Sequence, residues 1–376
     1  MKNTNETGEV WSVSTSVVTV VYLSVIIAIG VFGNILVVIV SVQGNRVRTK
    51  GRALIASMAV ADCVESLNLV FMLATAISRG QWIFTDAACK VHGFITTQFV
   101  IASMYSLMSI SLNRYYMVVK PNHYRRVFDT RNTALIIAFI WVFPLWLAVS
   151  PLAGWSEYSF QPHKATCIFY FSTSPAFAIV VCVMCVPVPL TVIVYTCFKI
   201  SQQVKQRSMR VQGAGSATRV NVHEIKITRT LIVIISAYLI CFIPAAVVNL
   251  IEMLIPSYEI PFWIDIVSML LVVTNHANNP LIYGMMNRQY RRAFIAVILG
   301  TCGDSCYNPN ESNSDSRLDD LTADKTRQIG TTQQGEPSKH DKTSSIQISG
   351  SSALQAMEVS IAQQSSPMPQ KPLQAG

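Results

Sequence analysis

Ser109-Ile110-Ser111-Leu112-Asn113-Arg114-Tyr115 closes an apolar run that begins near Val91 and carries almost no charge before Arg114. An arginine at the end of a membrane-length apolar helix is costly unless it sits at the interface or faces a partner. Lys120, Pro121, Arg125 and Arg126 follow at once and read as the first residues outside the bilayer. The stretch predicts a membrane helix that ends in an arginine at its buried edge and opens into a basic loop. That arrangement points to work on the cytoplasmic side.

The rest of the chain repeats the pattern. Charged residues make up 13% of the 376 residues and mean hydropathy is +0.40, whereas a soluble domain carries about a quarter charged. The deficit falls in windows of roughly 20 residues or more, the length a helix needs to cross a bilayer. Seven such windows run over about 16–42, 53–77, 87–119, 132–152, 175–200, 225–255 and 262–286. The expected fold is an all-α membrane protein, a seven-helix bundle over 16–286. The net charge of +9 sits in short segments between apolar runs, which is the pattern of membrane topology and not of nucleic-acid binding.

Charge also sets orientation. Lys and Arg gather after spans one, three, five and seven, while the other side holds only Lys2, Arg79, Lys90 and Lys164 near the spans. By the positive-inside rule the N-terminus lies outside and the C-terminus inside. Residues 1–15 are polar and lack a basic stretch followed by a cleavable apolar core, so span one is expected to serve as the insertion signal. Asn5-Glu6-Thr7 is a glycosylation sequon on the outer side.

Over 287–299, Tyr290, Phe294, Val297 and Ile298 line one helical face and Arg288, Arg291 and Arg292 the other. This is the design of a helix lying on an anionic inner leaflet. Cys302 and Cys306 follow and are candidates for palmitoylation. Residues 300–376 are expected to form a disordered cytoplasmic tail rich in Ser and Thr, either a phosphorylation substrate or inert.

Of nine cysteines most are scattered in apolar runs, where Cys packs as a small side chain. Cys182 and Cys185 lack a second pair, and the six histidines are dispersed, so no metal site is expected. Cys89 and Cys167 are the two that topology places outside, where a disulfide is permitted; two free thiols are the alternative. Asn34, Asp62, Ser103, Asn275, His276, Asn278 and Asn279 lie at mid-depth, and span two also carries Glu65. A carboxylate at that depth must face the bundle interior. Asp62 with hydroxyl and amide donors suits a hydrated sodium ion or a proton, or simply interhelical hydrogen bonding. Pro144, Pro187, Pro189, Pro244 and Pro280 each remove a helix hydrogen bond, as expected of a machine with two packings. Glu224, at the cytoplasmic start of span six, either pairs with Arg114 or stays solvated.

Other classes fit less well. A seven-span transporter favours internal repeats, a channel a filter or polar-lined pore, and an enzyme clustered acid–base or metal-ligating groups; none is visible.

These residues, taken together, resemble a rhodopsin-like (class A) G-protein-coupled receptor over about 16–299. The matching motifs fall one per span: Gly33-Asn34, Ala59-Val60-Ala61-Asp62, Cys89 with Asn113-Arg114-Tyr115, Trp141, Pro187 with Tyr195, Cys241-Phe242-Ile243-Pro244 and Asn279-Pro280-Leu281-Ile282-Tyr283. The resemblance implies that Arg114 is a switch released to meet a heterotrimeric G protein, and that Tyr195 and Tyr283 support the active packing. It implies a sodium pocket of Asp62, Ser103, Asn275 and Asn279, and a Cys89–Cys167 disulfide. It further implies a plasma-membrane location, an extracellular small-molecule ligand, and receptor kinases and arrestin as partners of the tail. Asn113 stands where most members carry Asp, and Phe242 where most carry Trp.

Two subfamilies share local features. Ile260-Pro261-Phe262-Trp263 and Ile282-Tyr283-Gly284-Met285-Met286-Asn287 look like melatonin receptors, whereas Gly154-Trp155-Ser156-Glu157-Tyr158 looks like opsins. Opsins need a lysine six residues before the Asn279 position to hold retinal as a Schiff base. Val273 has no amine, so covalent retinal is excluded there. Thr96 stands where monoamine receptors carry Asp, which removes the counter-ion for a cationic amine. Thr96, Thr97, Met104, Phe242 and Asn249 are the expected pocket residues, mostly apolar with a few hydrogen-bonding groups, and an uncharged small molecule is the expected ligand. A lysine-less opsin-like protein and a seven-span transporter are the alternatives.

Overall fold

Helix α1 (Val13–Val42) starts where the Ser12 hydroxyl accepts from the Thr15 N–H at 3.1 Å, a side-chain cap that satisfies one of the unpaired donors of a first turn. The computed structural model describes residues 11–43, 51–169, 174–212, 220–255 and 257–300, with the side chains of 207–229 and of 231 outside that description. Beyond α1 come α2 (Arg52–Ile77), α3 (Asp86–Val119), the short α4 (Pro121–Val127) and α5 (Thr130–Val149). After them lie α6 (Pro175–Cys185), α7 (Pro187–Gln212), α8 (Val220–Leu254), α9 (Phe262–Met286) and α10 (Arg288–Ile298). Caps at Thr85 and Asp129 start α3 and α5 in the same way, each accepting from the N–H three residues on.

Among the described residues six helices are long and apolar enough to cross a membrane, with α6 and α7 counted as one. The seventh, α9, has 25 residues and falls short in apolarity because its inward face carries Asp265, Ser268, Asn275, His276 and Asn279, all buried. With it the bundle has seven spans, as expected. Helix α3 runs through the middle: 72% of its most apolar stretch is buried, against 22% for the peripheral α5.

Three features depart from the expected all-helical run. Span five is interrupted at Val186, whose φ −110° and ψ −74° depart from regular helix, and Pro187, which has no N–H to continue the ladder, starts α7 there. Helix α4 occupies the loop after span three. It is anchored by Tyr124, which is buried and stacks on Phe128 at 5.7 Å. Third, the outer loop between spans four and five is a hairpin of β1 (Tyr158–Gln161) and β2 (Thr166–Phe169), paired antiparallel with Phe160 opposite Cys167.

The Cys89–Cys167 disulfide ties β2 to the first turns of α3. The hairpin sits so close to α3 that only glycine fits at position 93: a Cβ there would lie 2.6 Å from Tyr158 Cδ1 and 3.0 Å from the Cys167 carbonyl oxygen. The Tyr158 hydroxyl donates to the Ala148 carbonyl at 2.9 Å. Burial pushes that phenol above its ordinary value, so it stays a donor.

Candidate functional site

A chain of buried polar groups leads from the hairpin into the bundle. The Thr166 hydroxyl of β2 meets His92 Nε2 of α3 at 2.8 Å, and His92 Nδ1 meets Asn68 Oδ1 of α2 at 3.0 Å. Both contacts fit one neutral tautomer, with Nδ1–H donating to the amide oxygen and Nε2 accepting from the hydroxyl. Asn68 Nδ2 donates to Thr96 Oγ1 at 2.9 Å and to Glu65 Oε2 at 3.2 Å, and the Thr96 hydroxyl donates to Glu65 Oε1 at 3.0 Å. Glu65, Asn68, His92, Thr96 and Thr166 are all buried. The carboxylate of Glu65 is therefore held by two side chains that are themselves held, the condition under which a buried polar network is tolerated.

One turn further along α2 sits Asp62, with both oxygens engaged. His276 Nδ1 lies 2.9 Å from Oδ1 and Asn279 Nδ2 2.7 Å from Oδ2. Asn34 Nδ2 donates to the Gly30 and His276 carbonyls, both at 2.8 Å, which joins α1 to α9. Asp62 and His276 are wholly buried. Of the expected sodium residues, Asp62 and Asn279 meet. Ser103 is buried with its hydroxyl unpartnered among the described residues, and Asn275 is buried but makes no hydrogen bond to Asp62. Among the described residues no group of three His, Cys, Asp or Glu could hold a metal ion.

At the inner end Arg114 is buried, and its nearest hydrogen-bonding contact among the described residues is the Met117 sulfur at 3.9 Å. Tyr283, Tyr290 and Tyr124 lie around the guanidinium. Asn113 turns away from Arg114 and donates to the Tyr124 hydroxyl at 3.3 Å. A neutral amide thus braces α4. Gly51, at φ +84°, starts α2 beside it, and a Cβ there would lie 2.6 Å from Asn113 Oδ1. Tyr115 faces Tyr195 across 6.1 Å between ring centroids, although Tyr195 is half exposed on the bundle's outside. Tyr283 stacks on Tyr290 of α10 at 5.1 Å. The Glu224 side chain lies outside the described residues, as do Asn5, Cys302 and Cys306.

The outer end is covered. Lys164, between the two strands, is buried and reaches Glu252 at 2.6 Å and Asn249 at 3.4 Å on α8. His163 Nδ1 lies 3.5 Å from Asp265 of α9, and its ring meets Phe262 edge-on. Trp11 packs edge-on against the same Phe262, and its backbone exchanges hydrogen bonds with Arg79. The expected pocket residues are dispersed by these contacts. Thr96 belongs to the Glu65 chain and Asn249 to the lysine clamp. Thr97 donates back to its own helix at the Gly93 carbonyl, Met104 is core, and Phe242 packs on Tyr238 at 4.7 Å.

Sequence reading did not assign roles to Glu65, Asn68, His92, Lys164, Thr166 or Glu252. Glu65 and Asn68 follow Asp62 at three and six residues, so a polar stripe on one face of α2 was there to be read. The partners on α3 and β2 are not implied by any local pattern.

The family model described as 7 transmembrane receptor (rhodopsin family) matches residues 33–283. Melatonin receptor type 1B-B of Danio rerio is 26% identical over 291 residues, covering 77% of this chain and 82% of that one. Melatonin receptor type 1A of Mus musculus is 25% identical over 292 residues with the same coverage. Rhodopsin, GQ-coupled, of Mizuhopecten yessoensis is 25% identical over 287 residues, covering 73% of this chain and 58% of that one. Among solved structures, squid rhodopsin superposes with a TM-score of 0.69 at 22% identity, over 81% of this chain and 91% of that one; the two share the fold.

Proposed function

The chain belongs to the rhodopsin family of seven-transmembrane receptors, and from that premise we propose that it shifts between two packings when an uncharged small molecule binds under the outer hairpin. It is a multi-pass membrane receptor that takes a small-molecule ligand and signals through a heterotrimeric G protein; it is not an enzyme. The observation that carries the reading is the buried polar chain from Thr166 to Glu65, one turn from the Asp62–His276–Asn279 set, in a bundle whose inner end holds Arg114. A ligand that displaces the hairpin or the Lys164–Glu252 clamp acts on groups that continue inward. Outward movement of α8 then opens a cytoplasmic cleft for the G protein, and a coupling of about 1–3 kcal/mol suffices for a graded response.

An uncharged ligand is supported by the polar groups near the outer end: the Glu65 oxygens accept from Thr96 and Asn68, and Lys164 pairs with Glu252, so neither side chain is left open to an ionic ligand group. Melatonin and other neutral indoles come first as candidates, since the relatives are named for that ligand. Retinoids enter only as non-covalent ligands, because Val273 offers no amine. Sodium near Asp62 remains part of the reading. The buried Ser103 hydroxyl and the Asn34 amide oxygen are unpartnered among the described residues and would serve as ligands, but His276 already occupies one side of the carboxylate. The orientation is N-terminus out in the plasma membrane, which leaves Asn5 open to glycosylation, and Cys302, Cys306 and the tail to lipidation, kinases and arrestin.

The test is a screen in cells carrying a sensor for each G-protein class, with indoles, retinoids and lipids as ligands and vector-only cells as control. A receptor-dependent response to a neutral compound is expected. A response confined to cationic amines or charged peptides would refute the ligand reading.

A further inference from the structure

On the cytoplasmic side a groove of about 610 Å3 opens between the foot of α3, helix α4 and the start of α5. Its walls differ in chemistry. Lys120, His123 and Arg126, all exposed, come from the foot of α3 and from α4, and Leu135 and Ile136 from the start of α5. Among the described residues, none of the three basic side chains has a carboxylate partner. The nearby carboxylate of Asp129 is occupied as the cap of α5, accepting from the Asn132 N–H at 2.6 Å. The walls are braced: Asn132 Nδ2 donates to the Arg126 carbonyl at 2.9 Å, and the buried Tyr124 beneath α4 takes a hydrogen bond from Asn113. From the α5 wall, Leu135, Phe139, Val142 and Trp146 continue along the helix at spacings of four, three and four residues, each more than half exposed. That stripe is one helical face, and in this bundle it points at lipid.

An occupant must therefore carry negative charge at one end and hydrocarbon at the other, side by side with the membrane. We propose that the groove is a binding site for an anionic phospholipid of the inner leaflet, one whose headgroup bears phosphate monoesters and whose chains lie along the α5 stripe. Two permanent cations and an imidazole within one groove match a head with more than one negative charge. The planar guanidinium of Arg126 suits a phosphate monoester in two-pronged contact. The bound lipid would hold α4 against the foot of α3, next to the Asn113–Arg114 pair. The inner-leaflet assignment rests on the orientation proposed above, whereas binding itself does not.

The test uses the full-length receptor in phosphatidylcholine nanodiscs containing a few per cent of fluorescent phosphatidylinositol 4,5-bisphosphate, which is present in both leaflets, so the result is independent of orientation. The wild-type receptor should bind it saturably, and K120Q/R126Q should bind roughly tenfold or more weakly, since each basic residue near a headgroup contributes about one kcal/mol. R125Q/R131Q removes as much charge from exposed side chains that do not line the groove and should leave affinity unchanged. Leu135→Asn should weaken the lipid but not soluble inositol trisphosphate. The melting temperature is read for every variant, and R126Q alone replaces the pair if the double variant does not fold. Equal affinity in wild type and the Arg126 variants would overturn the site. Equal binding of phosphatidylserine at matched charge would overturn the headgroup assignment. Soluble inositol trisphosphate binding as tightly as the lipid would overturn the lipid as occupant.

Discussion

Asp62 lies wholly buried where α2 meets α9. Both oxygens are satisfied from α9, by His276 and Asn279, so truncation would strand an imidazole N–H and an amide in a dry interior. Each stranded group costs about 1–3 kcal/mol. Asp62→Ala should therefore lower the melting temperature of the purified receptor well below that of Asp62→Asn, which keeps an acceptor; equal melting temperatures would mean that the α2–α9 contact is not held by these bonds. The same residue decides the ion question. Replacing choline by sodium should stabilise the wild-type receptor and leave Asp62→Asn unmoved, and a sodium effect that survives the substitution would place the ion elsewhere. Gly93 is the steric counterpart. A methyl group there must push on Tyr158 and the Cys167 backbone, and overpacking of this kind costs about 1–3 kcal/mol. Gly93→Ala should lower thermal stability without altering Arg114-dependent signalling per folded receptor; an unchanged melting temperature would mean the hairpin is not seated where described.

Asp62 and Arg114 were legible from sequence because a lone charge in an apolar run stands out whatever its partners. Glu65 was visible in the same way but could not be given a role. Its ligands, Thr96 and Asn68, come from two helices, and His92 and Thr166 extend them only once the hairpin is folded onto α3. Asn113 shows the opposite case. Its departure from the usual acid was plain, but its partner Tyr124 lies on a helix that basic, proline-started sequence does not announce.

At the scale of elements, the outer hairpin behaves as a cover fixed to four helices: to α3 by the disulfide and Thr166, to α5 by Tyr158, to α8 by Lys164 and to α9 by His163. The third is adjustable, since Glu252 keeps some solvent contact while the lysine is buried. Lys164→Ala should release the cover on the α8 side. A ligand found by the screen should then dissociate several-fold faster from the variant, with its G-protein response intact; an unchanged dissociation rate would mean that the hairpin does not gate the site. The hairpin itself escaped sequence reading because its strands have four residues each and no tight-turn signal joins them. By contrast, the seven spans and α10 were readable to within about five residues, since length and apolarity are what a bilayer selects, except that α7 runs on to Gln212, beyond the expected end near 200. The break in span five at Val186 is the consequence of a proline whose presence was noted but whose position as a helix start was not.

For the molecule as a whole, the two ends are built differently. The outer end is closed by salt-linked and aromatic contacts among Trp11, the hairpin and α9. At the inner end a buried arginine lies among tyrosines, with no carboxylate partner among the described residues. The proposed mechanism uses this asymmetry: the closed end is where the ligand binds, and the end holding a buried charge is where the G protein meets it. The most direct measurement is GDP–GTP exchange on a purified heterotrimeric G protein, catalysed by the receptor in nanodiscs with the agonist bound, comparing wild type with Arg114→Ala at equal amounts of folded, disulfide-intact protein. Exchange should be accelerated by the wild type and fall to the receptor-free rate with Arg114→Ala. Equal acceleration by both would contradict the central role given to that guanidinium.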